Sequence, residues 1–402
     1  MQNMKNTSQN KFDISMRNIG PIKQANIELG NLTVLVGPQA TGKSIFLQTL
    51  KLLIDRDYID ATFKKNSMNF KGRSDAFLDG YFGRNMSALW KPKHSDISIN
   101  GQNVDLIEHL KESTVDINRS QLGAYEQLFY IPAQRVISLP RGMSQDFGKY
   151  HFGDPFTLRH FSDRVHSILQ NKFAIESDLS PHKILPETIG KHISEQIYAG
   201  AQLTYRDDEV DFVRKLMLDI PNGPQGLPFL AWSAGQREFT PLLLGLYLLF
   251  EEVGLVKEPK LPFWNWVVIE EPEMGLHPQA INITLYMILT LLARGHKVLL
   301  STHSPQVLDM LWALRICQQK QGTPQDVLGI FNLEQDADTL TAELALKQQY
   351  KVYYFQRSGI VEDISALDPG SDNPAQAHWG GLTEFAGRAG DVVSQVVNRA
   401  GF

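Results

Sequence analysis

The chain has 402 residues, more than one average domain, and its 43% hydrophobic and 21% charged residues are the balance of a globular protein with a sizeable buried core. Its 39 basic and 44 acidic side chains give a formal charge of −5, so charge lends no support to tight nucleic-acid binding, although a local basic surface stays open. The single cysteine, Cys317, excludes a disulfide framework and a thiolate metal site and fits a reducing cytosol.

Residues 1–11 are polar, lack the apolar stretch of a secretory signal, and read as a flexible arm. The strongest apolar runs, Pro241–Phe250 and Ile283–Ala293, are too short to span a bilayer, so a soluble cytoplasmic protein is expected. Three β-rich runs follow the arm: Phe12–Ile19, Ile22–Leu29 and Leu32–Val36, separated by turns at Gly20-Pro21 and Gly30-Asn31. The third is apolar almost throughout, as a central strand buried on both faces must be. Apolar residues from Lys43 to Ile54 then predict a helix packed on that sheet.

Between them lies Gly37-Pro38-Gln39-Ala40-Thr41-Gly42-Lys43-Ser44, a G-x-x-x-x-G-K-[S/T] loop in the strand–loop–helix context it requires. Glycines let backbone N–H groups approach phosphate oxygens, and the helix N-terminus adds favourable dipole charge. All eight residues are candidate ATP contacts, with Lys43 on the β- and γ-phosphates and Ser44 on Mg²⁺. Residues 55–125 read as irregular and polar, with Phe63, Phe70 and Trp90 among lysines and arginines. Such interleaving suits either a solvated arm anchored by its aromatics or a grip on single-stranded nucleic acid.

Tyr130-Ile131-Pro132-Ala133-Gln134-Arg135 offers Gln134 as a reach toward Mg²⁺ or a water. Residues 136–231 read as an insertion with helices at Phe156–Phe173 and Leu185–Ala199, a hairpin at Ala201–Leu216 and a turn-rich hinge at Pro221–Gly226. Ser233-Ala234-Gly235-Gln236 opens the next helix. It is either an ordinary N-cap with Ser233 as the capping residue or a second phosphate-binding turn, and the loop at residue 37 already equips its own subunit. On the second reading Ser233, Gly235 and Gln236 serve the ATP of a partner copy. Pro241 predicts a kink in that helix.

The strand Trp266–Ile269 delivers Glu270 and Glu271 to its C-terminal end, where open α/β sheets bind ligands. Glu270 is assigned to Mg²⁺ and Glu271 to the attacking water. A further strand, Lys297–Leu300, ends in Ser301-Thr302-His303-Ser304, and His303 is placed to sense the γ-phosphate.

The order of phosphate loop, glutamine loop, Ser-x-Gly-Gln turn, Glu-Glu-Pro-Glu, Gly275-Leu276-His277-Pro278 and Ser-Thr-His-Ser-Pro resembles the ABC-class ATPases of the SMC/RecF/OLD branch. The likeness covers residues 12–310. It implies an α/β P-loop ABC-type head with a mostly parallel core sheet, an antiparallel β subdomain and a helical signature lobe. It also implies head-to-head pairing, or a larger ring, in which each ATP lies between one head's phosphate loop and the other's signature, coupled through Gly275–Pro278. Trp232 and Ala234 stand where the family more often has Leu and Gly, and Glu270 stands where it has Asp, which moves the metal carboxylate outward and suits slow turnover.

Along the chain this divides into a core lobe of residues 12–135 and 255–345, a signature lobe of 136–254, and a tail of 346–402. The tail should form a hairpin, Lys351–Phe355 with Ile360–Leu367, and a helix over Gly380–Val397; these either cap the core or contact a partner. Asp336 and Asp338, the one Asp-x-Asp pair after His303, read as a polar turn, so the Toprim nuclease usual in OLD proteins is expected to be missing. That combination resembles the ATPase subunits of two-gene anti-phage systems such as PARIS. It implies a scaffold for a separately encoded Toprim nuclease, released by a phage-encoded trigger protein. The competing expectation is a RecF/SMC-like DNA-repair or DNA-end-binding ATPase; a transporter subunit is disfavoured by the Glu271–Pro278 continuation.

Overall fold

The computed structural model describes residues 12–111, 125–210, 212–250, 265–334 and 339–400. The expected arm at 1–11 and the Asp336–Asp338 pair lie outside the described residues. In chain order come β1 (Phe12–Ile19), β2 (Ile22–Leu29), β3 (Leu32–Val36), α1 (Lys43–Lys65), α2 (Ser74–Phe82), β4 (Asp96–Ile99), β5 (Gln102–Val104), α3 (Leu106–Lys111) and β6 (Leu128–Ile131). Next are α4 (Phe156–Asn171), α5 (Pro181–Ile184), α6 (Glu187–Gln196), β7 (Gln202–Asp207), β8 (Arg214–Asp219), β9 (Leu227–Pro228) and α7 (Ala234–Phe250). The chain continues with β10 (Trp266–Glu270), α8 (Pro278–Ala293), β11 (Lys297–Thr302), α9 (Pro305–Gln319), α10 (Pro324–Ile330) and α11 (Thr339–Ala345). It ends with β12 (Tyr350–Phe355), β13 (Val361–Asp363), α12 (Pro374–Ala377) and α13 (Glu384–Ala400).

The fold is α/β. A six-stranded sheet runs β13-β12-β3-β11-β10-β6, parallel except for β13, beside an antiparallel sheet β2-β1-β4-β5 and a small sheet β7-β8-β9. Side chains alternate across a strand, and here the alternation divides two cores. Leu32, Val34 and Val36 of β3, Val267 and Ile269 of β10 and Val298 and Leu300 of β11 face the core shared with α4, α7 and α8. Leu35, Val268 and Leu299 face the other, shared with α1, α2 and the antiparallel sheet. With both faces covered, the near-continuous apolar runs are accounted for.

α1 runs well past the expected end at Ile54, with one non-helical residue, Asp55 at φ −113°. Polar residues mask its period in sequence, yet they are buried because they pair. Lys51 Nζ, wholly buried, donates to Asp55 at 3.0 Å, Glu126 at 3.0 Å and the Leu128 carbonyl at 2.7 Å. Glu126 also accepts from Arg164 at 3.0 Å and lies 2.9 Å from His160 Nε2. Burial works against its charge, but Lys51, His160 and Arg164 hold its carboxyl well below the usual range. The network ties the phosphate-loop helix to β6 and α4.

The stretch expected to be irregular at 55–125 thus holds α2, β4, β5 and α3 as well as the end of α1. Phe63 and Phe70 are buried, and Phe63 meets Phe70, Phe77 and Phe156 edge to face with centroids 5.1, 5.4 and 5.1 Å apart. Rings so placed are core, about 1.5–3 kcal/mol each, and do not offer faces for base stacking. The helix expected at Leu185–Ala199 is shorter, α6, and the hairpin turns between Asp207 and Arg214.

In the tail, β12 pairs in parallel with β3, Val352 opposite Val34, so the hairpin extends the core sheet. α13 is exposed from Glu384 to Arg399, with Phe385 77% and Val393 61% accessible. Among the described residues no helix is long and apolar enough to cross a membrane.

Candidate functional site

The phosphate loop leaves β3 at Gly37 and enters α1 at Lys43. Gly37, Ala40 and Gly42 have φ of 140°, 61° and 102°, and such left-handed turns aim successive N–H groups into one concavity. Glycine is required at Gly37 because an added Cβ would lie 2.4 Å from the Phe355 carbonyl oxygen. Lys43 Nζ donates to the carbonyls of Gly37 at 2.7 Å and Pro38 at 2.9 Å, and Thr41 Oγ1 donates to Pro38 at 2.8 Å. Burial lowers the Lys43 pKa, while Glu271 and Glu270 oppose that shift.

Parallel register sets Glu270 beside Ser301, and Ile269 beside Ile131, so the ends of β10, β11 and β6 converge. Glu270 is buried; its Oε2 accepts the Ala133 N–H at 3.3 Å and its Oε1 has no protein partner. Burial raises its pKa, opposed by the nearby Ser44 hydroxyl and the Ala133 N–H. A buried carboxylate oxygen left over beside a hydroxyl is the chemistry a divalent cation takes up. Ser44 and Glu270 therefore fit a divalent cation.

Glu271 has φ +45°, a left-handed conformation that costs an ordinary residue about 1–2 kcal/mol. Its carboxylate lies 3.5 Å from His303 Nε2. Burial and Lys43 lower the His303 pKa, while Glu271 and Glu273 pull the other way. Gln134 is exposed at the start of a short turn, one residue from Ala133.

Two residues of this site carry no assigned role in the sequence reading. Glu273 Oε1 accepts the Thr302 hydroxyl and the His303 N–H, both at 2.7 Å, and so fixes the end of β11. Arg135, wholly buried, donates to the carbonyls of Glu270 at 2.8 Å, Glu271 at 2.9 Å and Glu238 at 3.2 Å. The signal available was positional: a lone arginine after an apolar strand, and a third acid in Glu-Glu-Pro-Glu.

The Ser233–Gln236 turn caps α7. Ser233 N–H donates to Gln236 Oε1 at 3.0 Å and Gln236 N–H to Ser233 Oγ at 3.3 Å, a reciprocal capping box. Gln236 Nε2 also donates to the Ile197 carbonyl. Ser233 and Ala234 are exposed, whereas Trp232 is buried, its indole N–H on the Leu227 carbonyl at 2.9 Å. A Cβ on Gly235 would stand 2.8 Å from the Gly275 carbonyl oxygen, so the turn packs directly on the Gly275–Pro278 loop. There His277 Nδ1 caps α8. Pro241 sits inside α7 without ending it.

Residues 32–309 match a family model described as "AAA domain, putative AbiEii toxin, Type IV TA system". The chain belongs to this family. The matched span holds the phosphate loop, both strand-end acids and His303, so the AAA-domain match and the site geometry concern the same residues. A stretch of 60 residues is 38% identical to the Old nuclease of Escherichia phage P2, covering 14% of this chain and 10% of that protein. Among solved structures, the SMC head domain from Thermotoga maritima is similar at 11% identity and a TM-score of 0.34, covering 88% of this chain and 97% of that one. A bacterial Atm1-family ABC exporter with ATP bound is similar at 11% identity and a TM-score of 0.31, covering 74% and 36%.

Proposed function

We propose that this AAA-domain protein binds ATP and hydrolyses it slowly, and that it does so as a head-to-head pair, or larger ring, of identical chains. The observation that carries the ATPase reading is the gathering of Lys43, Ser44, Glu270, Glu271 and His303 at the ends of β3, β10 and β11. Loop N–H groups of residues 37 and 39–42 and the α1 N-terminus receive the phosphates, and Lys43 moves from its loop carbonyls to the β- and γ-oxygens. Ser44, Glu270 and Gln134 would hold Mg²⁺, which supplies charge neutralisation on the phosphates. Glu271 orients a water for in-line attack and takes its proton, while His303 reports on the terminal phosphate.

Ser233, Gly235 and Gln236 complete the site of a partner copy. The exposure of Ser233 at the helix end, with half-buried Gly235 packed against Gly275, supports this role. The biological reading is a sensor and scaffold in bacterial anti-phage defence, similar to AriA of PARIS, that governs a separately encoded Toprim nuclease and answers a phage protein. The toxin–antitoxin wording of the family description and the uncovered apolar residues of α13 support it. Nucleotide titration and phosphate release test the ATPase reading: Lys43→Ala should lose ATP binding, and undiminished affinity in that variant would remove the phosphate-loop assignment.

A further inference from the structure

Glu271 is the residue most in need of support in this site. Its backbone lies in the left-handed region, and its carboxylate must point at one water position. Its N–H donates to the Ser301 carbonyl at 2.8 Å, which fixes one side of the peptide. The other side is fixed by Arg135, whose Nη2 takes the Glu271 carbonyl while Nη1 takes that of Glu270 and Nε that of Glu238. A planar guanidinium with donors in a rigid fork is the side chain able to hold three carbonyls from two elements at once. A fourth bond, from Nη1 to the Pro132 carbonyl at 3.4 Å, ties the same group to its own loop.

We propose that Arg135 is a positioning residue: it holds Glu271 in its left-handed conformation, aims that carboxylate at the attacking water, and ties the aim to α7 through Glu238. The inference rests on the ATPase reading above and adds to it a link within one chain. α7 begins at the turn offered to the partner copy, and Gly235 and Glu238 pack on Gly275. A shift of α7 on head pairing therefore reaches the Glu271 backbone through one buried guanidinium. Arg135 touches no substrate position itself, so its loss should spare binding and affect the chemical step.

The experiment measures ATP affinity, KM and kcat in the wild type, Arg135→Gln and Arg135→Lys. Expected are unchanged affinity, since Lys43 and the loop N–H groups are untouched, and a kcat lower by about 100-fold in Arg135→Gln, the scale of an ångström-level misplacement. Arg135→Lys keeps the cation and stem but loses the fork, so its kcat should fall between the two. Turnover in the wild type with undiminished kcat in both variants overturns this inference alone. Loss of ATP binding in step with kcat in both variants also overturns it, because the arginine then only maintains the fold. Absence of turnover in the wild type overturns the parent reading and this one with it.

Discussion

Replacing Glu126 with glutamine tests whether the buried charge network is the joint between the phosphate-loop helix and α4. The substitution keeps shape but removes the charge facing Lys51, His160 and Arg164 at 3.0, 2.9 and 3.0 Å. Breaking a buried pair by removing one partner costs about 3–5 kcal/mol. Lys51 keeps Asp55 and the Leu128 carbonyl, so the lower end applies, about 3 kcal/mol. With an unfolding entropy of about 2.1 cal/mol/K per residue, a 402-residue chain shifts by about 1.2 °C per kcal/mol, a fall in Tm of about 4 °C. Thermal unfolding followed by circular dichroism measures it.

The pH dependence of this variant has a definite sign. Burial lowers the His160 pKa below 6.5 and Glu126 opposes that shift, so removing Glu126 lowers it further. The unfolded chain then takes up the proton first as pH falls below 6.5, and the folded state loses stability. Tyr58, Lys51 and Arg164 also face this cluster; the two cations disfavour a charged His160, while Asp55, its pKa raised by burial, acts against the trend at lower pH. The deficit in Tm should therefore widen between neutral pH and about pH 5.5. A Tm equal to the wild type's at both would refute the network as a structural joint.

Two other substitutions bear on the site. Glu273→Ala frees the Thr302 hydroxyl and the His303 N–H, so kcat should fall by about 10-fold with ATP affinity unchanged, as steady-state kinetics and nucleotide titration will show. Gly235→Val forces a Cβ to within 2.8 Å of the Gly275 carbonyl oxygen, an overpacking that costs about 1–3 kcal/mol and displaces the signature turn; Tm and turnover should both drop.

Strands of the core were legible because burial on both faces leaves nearly pure apolar runs, as at Leu32–Val36 and Trp266–Glu270. The phosphate loop was legible because its glycines answer to local backbone geometry. α1 beyond Ile54 was hidden because Lys51, Asp55 and Arg56 look solvent-facing until their partners, distant in sequence, are seen. The place of β12 was hidden for a related reason: nothing local in Tyr350–Phe355 says that its neighbour is β3, more than three hundred residues earlier. Arg135 and Glu273 act on groups of other elements, mostly backbone, and such contacts leave no spacing to read.

The central claim, that Ser233 serves the ATP held by another copy, is tested most directly by mixing Ser233→Arg with Glu271→Gln and following phosphate release. Alone, Ser233→Arg should bind ATP and fail to hydrolyse it, because the bulky side chain blocks closure while Lys43 is untouched. Glu271→Gln should close on ATP without turnover. In a mixed pair one composite site joins Glu271 of the first variant to Ser233 of the second and is wholly wild type. Recovery of part of the wild-type rate on mixing is the result predicted; a Ser233→Arg protein that by itself hydrolyses ATP at the wild-type rate would contradict the account and leave the turn as a helix cap.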